Sequence, residues 1–152
     1  MESIDYQRFE GPATLEVIQW VTRINQEIFA FGETVEHLTH FFENSQRPMV
    51  LLALQGGEPV GFKVGFAADR QAFESWRGGV LERARRQGIA AELMRQQHAW
   101  CKAQGFKVIK TTTNGDNAAM LIANLRAGFQ VVGTFVNRNK RVKVLQEKWL
   151  SD

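Results

Sequence analysis

The residue types with the clearest chemical use sit together in one run, Phe73 to Ala91, FESWRGGVLERARRQGIAA. Within it, Arg85, Gly88 and Ala90 form R-x-x-G-x-A where a loop gives way to a helix. A helix start leaves several backbone N–H groups without intrahelical partners and carries partial positive charge. Glycine and alanine leave those amides uncovered, and Arg83, Arg85 and Arg86 add formal charge. This is a chemistry for holding a phosphate or pyrophosphate. The same pattern also describes a solvated first turn, so the motif alone leaves both readings open. Neither G-x-x-x-x-G-K-[ST] nor G-x-G-x-x-G occurs, which sets aside the two commonest nucleotide loops.

Other reactive side chains are sparse. His37 and His40 are three apart on one helix, the spacing of a metal pair, but no further His, Cys or Asp cluster joins them. No metal is expected. The single cysteine, Cys101, borders the apolar face of its helix and reads as packing; it excludes an internal disulfide and suits a reducing compartment. His98 falls on the far side of that helix from Ile89 and is expected to face solvent. Trp20, Trp100 and Trp149 read as core or near-core.

Composition narrows the class. A chain of 152 residues is expected to form one domain over 1–152 with a proper core. Nineteen Lys and Arg against sixteen Asp and Glu leave a net charge of +3, without a basic block, so no nucleic-acid partner is expected. No apolar run approaches the roughly 20 residues of a membrane span. The first residues, MESIDYQRFEG, lack the basic start and apolar segment of a signal peptide, and a cytoplasmic location is expected.

The elements that would position the loop follow from periodicity and punctuation. Ile4 to Phe9 alternates as a strand. Leu15, Ile18, Val21, Ile24 and Ile28 recur at helical spacing after a Gly11-Pro12 break, with Gly11 or Thr14 as the cap. Phe29 to Gly32 is a break, and Thr34 starts a second helix that turns Val35, Leu38, Phe41 and Phe42 inward. Met49 to Leu54 is a strand covered on both faces. Gln55-Gly56-Gly57-Glu58 turns it into a partner strand through Phe66. A third strand, Phe73 to Leu81, carries Gly78-Gly79, which suggests a bulge or a close backbone approach. Gly88 to Gln104 is the central helix, Phe106 to Thr113 a strand, and Asn117 to Ala127 a shorter helix. Phe129 to Val136 and Val142 to Leu150 form a last hairpin around a basic tip. The fold class is α+β, a mixed sheet flanked by helices, in the order β-α-α-β-β-β-α-β-α-β-β.

The strand SWRGGV leading into Arg85-x-x-Gly88-x-Ala90, with Asn117 eleven residues before Gly128-Phe129, resembles the GNAT acetyltransferase superfamily. The two motifs match that family's [Q/R]-x-x-G-x-[G/A] and N-x(10)-G-F patterns at the right separation. The resemblance covers essentially the whole chain and favours the phosphate reading of the loop. It implies acetyl-CoA as co-substrate. Its pyrophosphate would rest on the N–H groups of Arg86, Gln87, Gly88, Ile89, Ala90 and Ala91, beside Arg85. Its pantetheine would pair like an added strand with Val80 and Leu81, with Asn117 bonding the arm from the next helix. That arrangement requires the strands of Val80 and Thr112 to splay, with the glycine pair as a possible bend.

The implied reaction is direct transfer of an acetyl group to a primary amine of a small molecule or a peptide. A strand-end N–H near Val80 would meet the thioester oxygen. Glu74 on the central strand and Glu33 at the break between the first two helices are the candidate bases. Trp76 is a candidate lining of the acceptor pocket. Many relatives place a tyrosine acid seven residues after the asparagine; this chain has Asn124, which donates hydrogen bonds but no proton. The only tyrosine, Tyr6, lies in the first strand and is expected to be remote. That departure keeps an alternative, a non-catalytic acyl-CoA-binding or regulatory module. The last hairpin offers an edge for a homodimer.

Overall fold

Small residues on two neighbouring strands let helices pack closely on both faces of one sheet. The computed structural model describes residues 2–29 and 32–150. In chain order the elements are β1 (Ile4–Glu10), α1 (Leu15–Ile28), α2 (Val35–Asn44), β2 (Met49–Gln55), β3 (Glu58–Ala67), β4 (Ala72–Val80), α3 (Ile89–Ala103), β5 (Val108–Asn114), α4 (Ala118–Arg126), β6 (Gln130–Val136) and β7 (Val142–Trp149). The order is the one expected from sequence. The expected break at Phe29 to Gly32 includes Ala30 and Phe31, which lie outside the described residues. The seven strands form one sheet in the order β1-β2-β3-β4-β5-β7-β6, with β4–β5 its one parallel pair among the described strands.

Local signals account for the elements. Thr14 and Thr34 cap α1 and α2, their hydroxyls accepting from Val17 N and His37 N. Gly56 and Gly57 both adopt left-handed φ, +60° and +78°, as a two-residue hairpin requires. β2 is buried from Met49 to Leu54, because both of its faces are covered.

The two helical layers are fixed by neighbouring pairs on β3 and β4. Phe62 pairs with Gly79, and Ile28 of α1 lies 2.6 Å from where a Gly79 Cβ would stand. Gly61 pairs with Val80, and Ile89 of α3 lies 3.1 Å from where a Gly61 Cβ would stand. Adjacent residues of a strand face opposite ways, so α1 covers one face and α3 the other.

Three expectations need correction. Of the two expectations for Gly78-Gly79, the close approach holds, with Ile28 packed on Gly79, but the bulge of β4 lies elsewhere. Val64 pairs with Arg77 and Gly65 with Ser75, which leaves Trp76 without a partner. The slip moves Arg77 onto the face of Glu74, against simple alternation. Trp149 is 67% exposed. Its partner Val108 registers with Ala72, which places it on the α1–α2 face, and α1 packs there on β3 and β4 without reaching β7. His98 is buried, since α3 turns that side toward Phe129, 5.5 Å away, and β7.

Candidate functional site

A wedge-shaped gap opens between β4 and β5. The two strands pair only from Ala72–Val108 to Ser75–Thr111. Beyond that, Trp76 to Val80 and Thr112 to Asn114 run on without pairing to each other. The amide of Leu81 bonds Val60 O at 2.8 Å, toward β3. Alternation along a strand therefore turns the amides of Val80 and Gly78 the other way, into the gap.

At the mouth of the gap the loop runs through a short 3-10 turn, Glu82–Ala84, whose Ala84 is fully buried. Arg86 and Gly88 then take left-handed φ, +66° and +76°. Gly88 is the N-cap of α3 and brings no side-chain cap. Among the described residues, the N–H groups of Arg86, Gln87, Gly88, Ile89, Ala90 and Ala91 have no hydrogen-bond partner. Six consecutive free amides at a helix N-terminus are a concave donor surface for an anion. Gln87 braces the loop: its amide donates to Ala84 O at 3.0 Å, and it accepts from Gln55 at 3.0 Å.

The arginines divide their work. Arg85 Nε donates to Val80 O at 3.1 Å, locking the loop to the end of β4. Arg83 turns away, meeting Glu27 at 3.4 Å in a recess under α1 that also holds the Arg23–Glu58 pair. Of the three expected to flank an anion, Arg86 has no ion-pair partner among the described residues.

On the α1–α2 face, Glu74 is half-buried. Burial pushes its carboxyl above the ordinary range, and Lys110 opposes that shift. Glu33 is drawn to the same face: Asn25 Oδ1 accepts from its amide at 2.7 Å, and its carboxylate meets Arg77 at 3.5 Å and His37 at 3.6 Å. Trp76 stacks on Phe41 of α2 with ring centroids 4.0 Å apart, and Arg77 lies over its other side at 4.7 Å. Thus Glu74, Trp76, Arg77 and Glu33 surround one approach to the gap.

The α4 asparagines behave differently from each other. Asn117 caps α4, its Oδ1 accepting from Met120 N at 3.2 Å, which leaves its amide nitrogen to donate. Asn124 is 3% exposed and turned into the sheet, its amide bonding Gln146 at 2.9 Å and Thr113 at 3.5 Å. It is a buried bridging amide, and both of its hydrogens are occupied. Tyr6 stands on β1, three strands from β4; burial raises its pKa, and the charge of Glu92 raises it further. His37 and His40 are exposed, and the described residues contain no group of three metal-ligating side chains. Cys101 is fully buried, its thiol pushed up to about 12 by burial.

Sequence reasoning missed Lys63 and Gln97. Lys63 is the one charge in the strand VGFKVGF, and that was the available signal. It pairs with Gly78, and its Nζ lies 3.7 Å from where a Gly78 Cβ would stand, on the α3 side of the gap. Gln97 is fully buried, with neither end of its carboxamide partnered. No helix among the described residues is long and apolar enough to cross a membrane.

Comparison with known proteins adds a family. The model of the acetyltransferase (GNAT) family matches residues 15–129. Ard1 from Thermoplasma volcanium superposes with a TM-score of 0.80 at 19% identity, covering 95% of this chain and 99% of that one. The ribosomal-protein-S18-alanine N-acetyltransferase from Escherichia coli gives 0.79 at 14% identity, with 96% of each chain covered. A GNAT family acetyltransferase from Elizabethkingia anophelis, solved with acetyl-CoA bound, gives 0.70 at 15% identity, covering 97% and 98%. No curated protein sequence matches the chain.

Proposed function

The chain belongs to the GNAT acetyltransferase family, an enzyme family of acyl transfer, and on that premise we propose that it moves the acetyl group of acetyl-CoA directly to a primary amine of a small molecule or peptide. The observation that carries this reading is the row of six free amides from Arg86 to Ala91 at the mouth of an unpaired strand gap. A diphosphate would take those amides, with Arg86 adding charge. The arm of the acyl donor would lie in the gap along Val80 and Leu81, as an added strand. Asn117 would donate to it from α4.

The chemistry needs a proton acceptor and a place for the developing oxyanion. The gap-facing N–H groups of Gly78 and Val80 supply the second. Glu74 supplies the first: its raised pKa makes it a stronger base than an exposed carboxylate, and it shares a face with the open approach. Glu33, held by Arg77, orders that approach and is the second candidate for the base. The amine nitrogen attacks the thioester carbon, the C–S bond breaks, and Glu74 takes the amine proton. With Asn124 committed to Gln146 and Thr113, the thiolate leaves toward water and is protonated there.

The outer strand β6 is an open edge with Val131 and Val132 exposed, where a second copy would pair.

Two measurements test the reading. Calorimetry with CoA should show binding, and Gly88→Val should weaken it about tenfold or more. A β-branched residue resists the left-handed φ there, at a cost on the order of 1–2 kcal/mol. Equal binding by both proteins would sink the site. With an amine that supports turnover, Glu74→Gln should lower kcat by about 10²-fold or more. In the wild type, the acid limb of kcat/KM should fall at a pH above the ordinary carboxylate range, since Glu74 must be deprotonated to act.

A further inference from the structure

On the α3 side of the gap, amines and amides gather without an acid. Lys63 lies under β4 at Gly78, the first residue past the bulge whose N–H points into the gap. Leu93 of α3 sits over Gly61, and Trp100 lies against Phe73, 5.5 Å between centroids. Gln97, four residues after Leu93, lies on the same face of α3. Gln97 is fully buried with both polar ends unpartnered. His98 is 8% exposed; its Nδ1 lies 3.1 Å from Lys148 Nζ, and its Nε2 has no partner. An ammonium beside Nδ1 makes that nitrogen the acceptor, which assigns the proton to Nε2.

The buried groups left unmet are both ends of the Gln97 carboxamide, the His98 Nε2–H and the Trp100 Nε1–H, and the Lys63 ammonium beside them is half-buried. No carboxylate pairs with Lys63 or Lys148 among the described residues. Orphaned buried donors cost on the order of 1–3 kcal/mol each, and more where charge is involved. Desolvation pulls the Lys63 amine down to about 8, which still leaves roughly nine in ten molecules charged at pH 7. A compact anion entering through the gap beside Gly78 would meet the Lys63 ammonium, whose charge already acts on His98.

We propose that Lys63, with Gln97 and His98, forms an acyl pocket that accepts a terminal carboxylate. The protein would then accept as acyl donor, besides acetyl-CoA, the mono-thioester of a short dicarboxylic acid. The inference rests on the gap being the acyl-donor site. The transfer step is unchanged in balance: the amine nitrogen bonds to the thioester carbon, the C–S bond breaks, and the distal carboxylate stays a spectator held by Lys63. Gly78 is suited to the position, since a side chain there would meet Lys63 and close the floor.

The experiment is calorimetry with CoA, acetyl-CoA, malonyl-CoA and succinyl-CoA against the wild-type protein, Lys63→Met and Gln97→Leu. In the wild type, malonyl- or succinyl-CoA should bind at least tenfold more tightly than acetyl-CoA. That ratio should fall to near one in Lys63→Met and shrink severalfold in Gln97→Leu. CoA, which has no acyl group, is the reference within each protein. Equal affinity for acetyl-CoA and both dicarboxylic thioesters in the wild type overturns the pocket while leaving the donor site standing. A ratio that survives Lys63→Met also overturns it. If CoA itself fails to bind, the donor-site reading falls and this inference falls with it.

Discussion

The two halves of the sheet are built to different rules. In the β1–β4 half, β2 is buried from Met49 to Leu54, with α3 packed on it. In the β5–β7 half, β6 is exposed at every position but Gly133. The halves meet through four residue pairs, Ala72–Val108 to Ser75–Thr111. Past those pairs, Lys148 of β7 meets His98 of α3, the helix packed on β2, β3 and β4. The contrast explains how a sheet can stand open at its centre. Apolar burial is concentrated in one half, so the other can diverge from β4 without opening the main core. The gap exposes strand edges that a ligand can use.

The comparison can be broken most directly in the core. Phe62→Ala removes a ring that is 1% exposed beside Gly79 and should cost about 3–5 kcal/mol in urea denaturation. A loss below 1 kcal/mol would mean that the first half does not carry the stability.

The seam can be probed with acid. Burial, then Lys148 and Lys63, push the His98 ring from 6.5 down to about 3. The unfolded chain takes up a proton that the native ring refuses. Stability from this group is therefore complete above pH 6.5 and declines by about 1.4 kcal/mol per pH unit below it, toward pH 3. Between pH 6.5 and 5 the loss should be about 2 kcal/mol, and His98→Phe should flatten that part of the profile. An unchanged slope would detach the seam from His98.

The smallest effect belongs to the outer half. Val132 is 52% exposed, and Val132→Thr should change stability by no more than about 0.5 kcal/mol. A larger loss would show that another surface covers β6, which sedimentation of the wild-type protein would detect.

Much of this was legible before any coordinates. Helical spacing from Leu15 to Ile28, the Gly56-Gly57 turn and the apolar run of β2 are local signals, and they produced the observed elements. The loop from Arg85 to Ala91 was equally plain, because a glycine at a helix start can take the left-handed φ that most residues resist. The bulge at Trp76 was not legible, since it depends on how β3 and β4 slide past each other. Nor was the exposure of Val131, Phe135 and Trp149: apolar alternation marks a strand but does not say whether a helix covers it. His98 was assigned to solvent on helical angle alone, while β7 and Phe129 close over that side.

The order of elements and the loop of bare amides were determined by the sequence, because hydrophobic period, caps and left-handed glycines act over a few residues. The tertiary structure decided the open gap, the side of β4 on which Glu74 and Arg77 stand, and the burial of Gln97 and His98. Those depend on strand register and on which helix lies over which strand, and both are set by contacts between residues distant in the chain.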